Sequence, residues 1–532
     1  WLYNDLDPDF REKFRQKLIL HARKQYHGGH LNKNKANAYW QGDPQNNHRW
    51  HRNAGMALAI LTAYEGNPEE QWILAKTRED LDYVNEWLPE DGTSHEGLTY
   101  MIFGGTHLLL GVCAADRCFD PEVHEPYLPR PFYQNVGTYL MAGQTPDMKH
   151  FFNYGDSGGG GLSSAYASFL YATAAAHKQK DVQAALDAAW KRAPNRMNVT
   201  AWSAIVWYDP SLSGAYLDEL PTRHYLDDLG LLFVRDGWTE DSTGAMFKCG
   251  PMGGFKLNEF RNENNFSYIN VAHDDPDANS FILWKDDHFV AETDRYSKQK
   301  RSANHNTILI NGMGQMNKGR PEGGVWSQPA TGKTDMATTA FVTRYEAGDD
   351  LVIIEGEAAG SYLSARDRKT GATRPDLDRF RRTFVWVEGK YLLVIDDIKA
   401  PSRVDVAWLM QAPKMDVNDA DGHRHTMSNE GVAIGVQVVT SEKMAGEVVE
   451  STADHRGNKL GWRQLQLKAN TDSVRVYSVY DAFGKGPLTL KVDEADDDKS
   501  ATITVTGKDV SETWQWTSAT DDKSPAKVEL QD

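Results

Sequence analysis

The sequence predicts an α+β multidomain protein in which an all-helical part is followed by antiparallel β-sandwich modules. Its 532 residues exceed the length of about 250 to 300 residues at which single hydrophobic cores stop growing, so two or three domains are expected. Up to about residue 220, apolar residues recur at spacings of three and four, which is the helical period. From about Leu231 onward the period becomes two, and β-branched runs follow one another without interleaved helices.

The helical part contains long segments with Ala, Leu and Tyr at helical spacing. Clear examples are "HRNAGMALAILTAYEG", "TYMIFGGTHLLLGVCAAD" and "LSSAYASFLYATAAAHKQKDVQAALDAAWKR". Each segment is long enough for a helix of three or more turns. The connecting segments "EGNPEE", "LPEDGTSHEG" and "YGDSGGGG" are rich in Pro, Gly and acidic residues, which cap and stop helices.

The β part contains short strands joined by tight turns. Runs such as "DLVIIEGEA", "RTFVWVEGKYLLVIDDI" and "SATITVTG" are rich in β-branched residues. The tight turn "EGK" lies between Val387 and Tyr391. Strands at this density predict antiparallel sandwiches. The polar stretch from Pro413 to Ser428 predicts a break between two sandwich modules.

The composition limits the partners of the chain. Its net charge is −17, from 58 basic and 75 acidic residues, so electrostatics opposes nonspecific binding to nucleic acid or to an anionic membrane surface. Inspection finds no run of about 18 apolar residues, which predicts that no segment spans a membrane. The chain opens on Trp1 without a signal-peptide segment. Its three cysteines form neither a disulfide framework nor a zinc-finger spacing.

The first candidate site is "QNNHRWHRN", where Asn46, Asn47 and His48 precede an Ala- and Leu-rich helix. The backbone N–H groups and the dipole of a helix N-terminus favour an anion, and the side chains of Asn47 and His48 add hydrogen-bond donors. A carboxylate or a sulfate fits such a site. The alternative is that Asn47 simply caps the helix, because Asn is a leading cap residue.

The second candidate site is "DGTSHEGLTY", which contains Glu96 and Tyr100. These two residues are four apart, which would place a carboxylate and a phenol on one helical face. Tyr100 as a general acid or base needs nearby positive charge or hydrogen-bond donors. The alternatives are that Tyr100 is an ordinary core or rim aromatic residue and that "SHEG" is only a helix start.

The third candidate site is "NVAHDDPDANSF", which combines His273 with three aspartates, together with Asp294 and His305 further along the chain. Imidazole and carboxylate groups on neighbouring strands suit a borderline ion such as zinc. Asp-Pro-Asp also makes an ordinary turn, so an acidic turn without metal is the alternative. The stretch "YGDSGGGG" lacks the Lys-Ser/Thr of a phosphate-binding loop, and we interpret it as a loop with Asp156 at a cleft.

With these three motifs, the chain resembles the heparinase II/III-like polysaccharide lyases. The resemblance covers most of the chain and is strongest at residues 245–315, in "GPMGG", "NVAHDDPDANSF" and "SANHNTILINGMGQ", while the helical part matches through "NNH" and "DGTSHEGLTY". It implies an N-terminal (α/α) toroid at residues 1–225, a central antiparallel β-sandwich at 226–425 and a C-terminal sandwich or sheet domain at 426–532. The helical part is short for a full toroid, so we expect an incomplete toroid whose earlier helices are missing from this sequence.

The resemblance also implies roles for individual residues. Those lyases neutralise the uronate carboxylate with an Asn or a His, a role that Asn47 and His48 match. They use a Tyr on a later toroid helix and a His from the sandwich, which Tyr100 and His273 match. The residues that we expect to bind substrate are Arg49, Arg52, Glu96, Arg261 and Arg295.

A structural zinc is a further implication, since the family's sandwich often holds one through a His, an Asp and a second His. Asp294 and His305 match the last two ligands, but the usual pair of histidines two residues apart is here His273 followed by Asp275. Either Asp275 replaces the ligand and His273 stays catalytic, or His273 binds the metal and its catalytic assignment fails. We expect one structural divalent metal, zinc, bound by Asp275, Asp294 and His305, and no organic cofactor.

The function that the resemblance implies is a lyase that cleaves a uronic-acid-containing anionic polysaccharide by β-elimination and leaves an unsaturated uronate end. A glycosaminoglycan, an ulvan-like polymer and alginate all fit, and a substrate of that size implies a secreted or periplasmic protein. Two alternatives from other classes remain open. A toroid-type glycoside hydrolase would pair Asp91 or Glu96 with Asp156. A non-catalytic carbohydrate-binding protein is the other alternative, because the fold does not determine the function.

Overall fold

The computed structural model describes most of the chain. The described residues are 3–26, 42–157, 159–192, 194–197, 200–214, 216–265, 271–297, 299–315, 336–363, 365–366, 373–374, 376–419, 423–495, 499–521 and 523–531.

These residues divide into two compact units. The first comprises Trp1–Met141 and Gly160–Glu219, and the second comprises Ala142–Gly159 and Leu220–Asp532. The first unit is helical and the second is built mainly from antiparallel strands, so the predicted order of a helical part followed by β-sandwich modules is confirmed. The sequence did not predict that the segment Ala142–Gly159 belongs to the second unit.

Polar caps start the principal helices of the first unit. Asn46 caps the helix Asn47–Ala63 by accepting a hydrogen bond from the backbone N–H of His48 at 3.0 Å. Asn67 caps Pro68–Glu86 in the same way, and the proline at the first helical position needs no N–H partner. The α-helices up to residue 207 are Pro8–Tyr26, Asn47–Ala63, Pro68–Glu86, Gly97–Tyr100, Thr106–Cys118, Pro131–Ala142, Tyr171–His177, Lys180–Arg192, Pro194–Met197 and Trp202–Trp207.

One helical segment of the first unit is unusually long and apolar. Gly97–Tyr100, the π-helical turn Met101–Gly105 and Thr106–Cys118 follow one another without a break over 22 residues. By length and composition alone this segment is able to cross a membrane, although inspection of the sequence predicted no such segment. In its most apolar window 61% of the residues are buried inside the protein, and buried core helices satisfy the same criterion, so it is weak evidence for a membrane span.

The second unit begins with a five-stranded antiparallel sheet in which neighbours in sequence are neighbours in space. Two of its five strands, Leu231–Arg235 and Gly244–Lys248, are buried along their whole length. A helix, Gly254–Glu263, lies in the connection between the third and fourth strands. The five strands are Arg223–Leu226, Leu231–Arg235, Gly244–Lys248, Ser280–Lys285 and His288–Ala291.

A large antiparallel sheet forms the centre of the second unit. Its spatial order is Lys414–Val417, Arg424–Asn429, Val432–Thr440, Arg463–Tyr480, Tyr391–Ala412, Arg379–Val387, Leu351–Glu357 and Phe341–Ala347. Ile308–Ile310 pairs with Tyr391–Ala412, and Ala445–Glu450 pairs with Arg463–Tyr480. The boundary predicted at 425/426 falls inside a strand of this sheet, and the three predicted domains stay a prediction.

A four-stranded antiparallel sheet and two short hairpins complete the second unit. The sheet consists of Thr489–Glu494, Ser500–Gly507, Val510–Thr517 and Lys527–Leu530. The hairpins pair Ala365–Arg366 with Thr373–Arg374 and Asp454–His455 with Asn458–Lys459.

Strand Arg379–Val387 shows how the layers pack. Phe384 and Trp386 belong to the core shared with the five-stranded sheet, whereas Val385 and Val387 belong to the core shared with the four-stranded sheet. Successive side chains of a strand point to opposite faces, so the end of this strand in the middle layer, residues 384–387, is apolar at every position. The second unit is therefore a three-layered sandwich around two cores.

Acidification is expected to destabilise the second unit through His224. Burial, followed by the charge of Arg235, lowers the pKa of His224 from 6.5 to about 4. Between these pH values the folded chain keeps the ring neutral while the unfolded chain binds a proton, so this contribution to stability is complete above pH 6.5 and is lost as the pH falls toward 4. Between these pH values, the free energy of unfolding should therefore fall by about 2 to 3 kcal/mol more in the wild type than in the variant His224→Gln.

Urea denaturation at the two ends of the interval measures this difference. His423→Gln, which changes an exposed histidine of the same unit, should follow the wild type. A His224→Gln curve parallel to that of the wild type would show that His224 does not contribute.

Candidate active site

The N-terminus of helix Asn47–Ala63 forms a polar centre in the first unit. Asn46 is the cap, so the alternative in which Asn47 caps the helix is wrong by one residue. The backbone N–H of Asn47 donates to Glu96 Oε2 at 2.9 Å, and its Nδ2 donates to Glu96 Oε1 at 3.0 Å. Because a carboxylate only accepts, this pairing fixes which side of the amide carries Nδ2. Both residues are buried, whereas His48 is exposed on the first turn.

Two close contacts set the register between this helix and the segment that carries Tyr100. A Cβ on Gly104 would lie 2.8 Å from Asn47 Cβ, and a Cβ on Gly111 would lie 2.8 Å from Ala54 Cα. The two contacts are seven residues apart in each helix, so the helices run parallel with a fixed register. Tyr100 precedes Gly104 by four residues, which places it about one helical turn from the contact with Asn47.

The backbone around Tyr100 departs from a regular α-helix. Tyr100 is half-buried and ends the helix Gly97–Tyr100, and the π-helical turn Met101–Gly105 follows it. In that turn the backbone N–H of Thr106 bonds to the carbonyl of Met101, five residues earlier. Single π-turns are rare and occur frequently at functional sites, because they change the direction of the side chains around them.

The predicted substrate-binding residues of the first unit lie in different environments. Arg49 is buried, its Nη2 donates to Asp80 Oδ1 at 3.1 Å, and its guanidinium lies 4.5 Å from the centroid of the Tyr83 ring. These contacts tie Arg49 to the interior of the unit. Arg52 is half-buried, and Glu96 is occupied by its two bonds to the helix N-terminus. Their contact with substrate stays a prediction.

Two further predicted substrate-binding arginines belong to the second unit. Arg261 lies on the helix Gly254–Glu263, is largely buried and donates from Nη1 to Asn258 Oδ1 at 3.4 Å. Arg295 is more exposed, and its Nε donates to Glu292 Oε1 at 3.1 Å. Their contact with substrate likewise stays a prediction.

A buried carboxylate holds His273 in the second unit. Nδ1 of His273 donates to Asp156 Oδ2 at 2.6 Å, and the backbone N–H of Asp156 donates to the carbonyl of His273 at 2.9 Å. The other oxygen of Asp156 accepts from Lys300 Nζ at 2.6 Å, and Lys300 Nζ also lies 3.0 Å from Asp275 Oδ1. His273 is 8% exposed, whereas the other three residues are 1% exposed, so the imidazole is the member of this network that is accessible.

Carboxylates outnumber ammonium groups in this buried cluster. Lys248 Nζ donates to Asp274 Oδ1 at 2.7 Å and to Asp277 Oδ1 at 2.5 Å. The cluster contains five aspartates and two lysines, which gives an excess of three negative charges when all are ionised. Its members are Asp156, Asp274, Asp275, Asp277, Asp294, Lys248 and Lys300. Burial raises the pKa of Asp277 to about 7 and raises that of Asp294 well above its ordinary value. The cluster therefore favours either protonation or a bound cation.

Asp275, Asp277 and His305 have the arrangement of a metal site. Their ligand atoms lie within 4.8 Å of one another, and His305 Nε2 lies 3.9 Å from Asp275 Oδ1. Neither ring nitrogen of His305 has a hydrogen-bond partner among the described residues, although the ring is fully buried. Burial lowers the pKa of His305 to about 4, which keeps the imidazole in the neutral form that binds metals. One imidazole and two carboxylates fit a borderline divalent ion.

The predicted ligand set and the observed group overlap in part. Asp277 was not predicted as a ligand, because the turn interpretation of Asp-Pro-Asp accounted for it. Asp294 lies outside the group: its Oδ2 accepts from Asn304 Nδ2 at 2.7 Å and its Oδ1 accepts from the backbone N–H of Asp454 at 2.9 Å. Ligation by Asp294 and the identity of the ion stay predictions.

Comparison with known proteins identifies related folds. The family model described as heparinase II/III-like, C-terminal, matches residues 221–517. A crystal structure of heparinase III aligns with a TM-score of 0.65 and 12% identity, over 95% of this chain and 74% of that one. A heparinase III with methylated lysines aligns with a TM-score of 0.62 and 13% identity, over 96% of this chain and 68% of that one.

A third solved structure and a sequence search complete the comparison. A mutant of the heparan sulfate lyase HepC from Pedobacter heparinus aligns with a TM-score of 0.57 and 15% identity, over 88% of this chain and 66% of that one. At these identities the likeness shows the fold, so the predicted helical toroid followed by β-sandwich domains is confirmed. A search of curated protein sequences finds no match.

A divalent ion is expected to stabilise the second unit. Purified protein should contain about one divalent ion per chain by plasma mass spectrometry, and EDTA should lower its melting temperature. His305→Gln should lose the ion because it removes the imidazole of the group. His425→Gln, which changes a buried histidine outside the group, should retain the ion. A wild type that is purified without metal in zinc-supplemented medium, or a His305→Gln variant that keeps its ion, would contradict the assignment.

Proposed function

The chain belongs to the heparinase II/III-like family, and we propose that it is a polysaccharide lyase that cleaves a uronic-acid-containing anionic polysaccharide by β-elimination. The family model matches more than half of the chain, so the family predicted from the motifs is confirmed. The observation that carries the proposed chemistry is the oriented amide of Asn47 at a helix N-terminus, in fixed register with the parallel helical segment that contains Tyr100.

The helix N-terminus around Asn47 supplies the electrophilic part of the site. Nδ2 carries two hydrogens and Glu96 accepts one of them, so in this proposal the second N–H donates to the substrate. The C5 proton of a uronate is hard to remove while the adjacent carboxylate is ionised. Donors at a helix N-terminus stabilise the enolate-like charge as it develops, and Glu96 acts by holding Asn47 in place.

Proton transfer is assigned to Tyr100 and His273. The base removes the C5 proton, the electron pair of that bond forms the C4–C5 double bond, and the bond from C4 to the leaving O4 breaks. The leaving oxygen then takes a proton, so the reaction balances within the substrate and needs no oxidant or reductant. Tyr100 moves one of these protons as a phenol or phenolate, and the other proton is assigned to His48 or His273.

Asp156 determines which nitrogen of His273 is presented to the reaction. Its carboxylate accepts from Nδ1, so Nδ1 carries a hydrogen and, in the neutral ring, the lone pair lies on Nε2. Lys300 compensates the charge of Asp156 and holds its other oxygen. A carboxylate that orients a histidine in this way is a recurrent device of acid–base catalysis. This pairing supports the alternative in which His273 is catalytic and Asp275 takes the ligand position.

The metal has a structural part in this proposal. When bound by Asp275, Asp277 and His305, a divalent ion would neutralise the excess negative charge and brace the segment next to His273. The chemistry of the elimination is carried by the side chains described above.

The substrate and the localisation follow from the same proposal. One of the aligned structures is a heparan sulfate lyase, so a glycosaminoglycan is the first substrate to test, followed by ulvan-like polymers and alginate. Polymers of this size are degraded outside the cytoplasm, so we propose that the protein is secreted or periplasmic.

The hydrolase alternative has less support. It needs two carboxylates that flank the scissile bond. Both oxygens of Glu96 accept from Asn47, Asp156 is tied to a histidine and a lysine, and Asp91 Oδ1 accepts from the N–H and the hydroxyl of Thr93. Each carboxylate is thus already engaged by protein groups.

Cleavage by elimination should be visible in the ultraviolet. With a panel of glycosaminoglycans, ulvan and alginate, we expect one polymer to produce the absorbance of an unsaturated uronate. Tyr100→Phe should reduce the rate about 100-fold or more, since a general acid–base group contributes about that much. Tyr64→Phe, at an exposed tyrosine of the same unit, is the matched control and should keep full activity.

Three other outcomes separate the alternatives. Full activity of Tyr100→Phe would remove Tyr100 from the mechanism. New reducing ends without ultraviolet absorbance would identify a hydrolase. Binding of a polymer without any cleavage would identify a carbohydrate-binding protein.

Asp156→Asn is expected to lower kcat about 100-fold or more with little change in KM. Lys300 donates to one oxygen of Asp156, so the amide oxygen of an asparagine would face Lys300 and its NH2 group would face His273 Nδ1. The hydrogen of the ring would then move to Nε2, and loss of the correct tautomer in such a pair costs up to about 10⁴-fold.

A double-mutant cycle tests whether Asp156 acts through His273. In the His273→Gln background, Asp156→Asn should lower kcat no further, because the two residues work as one unit. Glu355→Gln removes another buried carboxylate of the same unit and should leave kcat unchanged. Additive losses in the cycle would show that Asp156 has only a structural role.

A further inference from the structure

A hairpin of the second unit places an arginine against Tyr296, whose ring lies near that of His273. Strand Asp454–His455 pairs with Asn458–Lys459, so Arg456 and Gly457 form a two-residue loop. Both loop residues have positive φ, 55° and 85°, as a type I′ turn requires. Asn-Gly is the favoured pair in such a turn, and a long side chain in this backbone conformation is uncommon. Such exceptions concentrate at functional sites.

Hydrogen bonds of its backbone hold the hairpin against three consecutive residues, Asp294, Arg295 and Tyr296. The backbone N–H of Asp454 donates to Asp294 Oδ1 at 2.9 Å, and the N–H of Arg295 donates to the carbonyl of Asp454 at 3.3 Å. The N–H of Arg456 donates to the carbonyl of Tyr296 at 2.6 Å. The position of Arg456 is therefore set by the main chain and does not depend on its own side chain.

Arg456, Tyr296 and His273 form a row of contacts. The guanidinium carbon of Arg456 lies 5.3 Å from the ring centroid of Tyr296, which lies 6.3 Å from the ring centroid of His273. Exposure decreases along the row, from the exposed arginine through the half-buried tyrosine to the largely buried histidine. A guanidinium packed on an aromatic ring is oriented by it and keeps its N–H groups available for an anion.

The charge of Arg456 is not compensated within the part of the chain that the structure describes. No carboxylate there forms an ion pair with it, whereas the neighbouring Arg295 is paired with Glu292. Burial, followed by the charges of Arg456 and Arg295, lowers the pKa of His455, while Asp454 and Asp156 act in the opposite direction. In a chain of net charge −17, an exposed arginine that forms no ion pair among the described residues and packs on the ring next to His273 is a distinct feature.

We propose that Arg456 is an anion subsite that binds a carboxylate or a sulfate of the polysaccharide, on a sugar adjoining the one whose bond is cleaved. The guanidinium fork matches both groups with two parallel hydrogen bonds. The hairpin Asp454–Lys459 thereby determines how that sugar must be charged. This inference rests on the proposed lyase function, because His273 marks the reacting position.

The turn offers a substitution that removes the guanidinium without disturbing the fold. Arg456→Asn introduces the residue that a type I′ turn prefers, so the variant should melt at or above the wild-type temperature. We expect KM for the cleaved polymer to rise about tenfold and kcat to stay within about threefold, since the lost contact is made alike in ground and transition states. Arg456→Lys keeps the charge without the fork and should recover part of the loss.

A matched control and two substrates make the test specific. Arg403→Asn removes an exposed arginine elsewhere in the same unit and should leave both constants unchanged. The polymer that is cleaved is compared with its chemically desulfated form. If the effect of Arg456→Asn disappears on the desulfated polymer, the bound group is a sulfate, and if it persists, the bound group is a carboxylate.

Binding is measured in parallel so that the subsite is tested without turnover. Calorimetric titration of Tyr100→Phe with the same polymers, with and without Arg456→Asn, should show the same roughly tenfold loss of affinity. Equal affinity and equal KM would overturn the subsite and leave the lyase proposal intact. A fall in kcat without a change in KM would also overturn it. A wild type that neither cleaves nor binds any uronate polymer would overturn both proposals.

Discussion

The charge balance around Lys300 is the constraint on which the candidate site of the second unit depends. Its ammonium group lies 2.6 Å from Asp156 and 3.0 Å from Asp275, and all three are removed from water. A buried ion whose partner is removed costs about 3 to 5 kcal/mol, so neither carboxylate is free to change alone. Because Asp156 orients His273 and Asp275 belongs to the candidate metal group, one lysine links the two roles. In the proposed function, catalysis and metal binding are therefore neighbouring roles of one segment, assigned to His273 and Asp275.

In the first unit, close packing of two helical segments fixes the positions of Asn47 and Tyr100. Gly104 lets the segment that carries Tyr100 approach Asn47 to a distance that any side chain would prevent, and Gly111 does the same at Ala54. Glu96 then holds the amide of Asn47 from the loop that precedes this segment. The close approach of the two backbones, their register and the orientation of the amide are thus decided by residues that need not contact substrate. Their combined effect is to place Asn47 and Tyr100 on parallel helical segments.

The sequence predicted what is local and missed what is distant along the chain. The change of hydrophobic period from helix to strand predicted both units, and the motifs around Asn47 and Tyr100 were found because their residues are adjacent. The Asp156–His273 pair spans 117 residues, so the loop "YGDSGGGG" gave no sign of its partner. Asp277 was not among the predicted ligands, because Asp-Pro-Asp also makes an ordinary turn. Arg456 lies in a turn without Asn, where no preference of turn chemistry predicts an arginine.

The charges around Lys300 also explain why this chain can have Asp275 where the family usually has a histidine. Where the family usually has a second histidine, this chain has Asp275, which adds a negative charge to a buried cluster already rich in aspartates. That replacement is tolerable because Lys300 stands 3.0 Å away and, with burial opposing it, keeps the pKa of Asp275 below its ordinary value. The same ammonium group neutralises Asp156, so a carboxylate behind His273 and a carboxylate at the ligand position require one shared cation. The proposed ligand Asp275 and the carboxylate that orients His273 thus share one buried ammonium group.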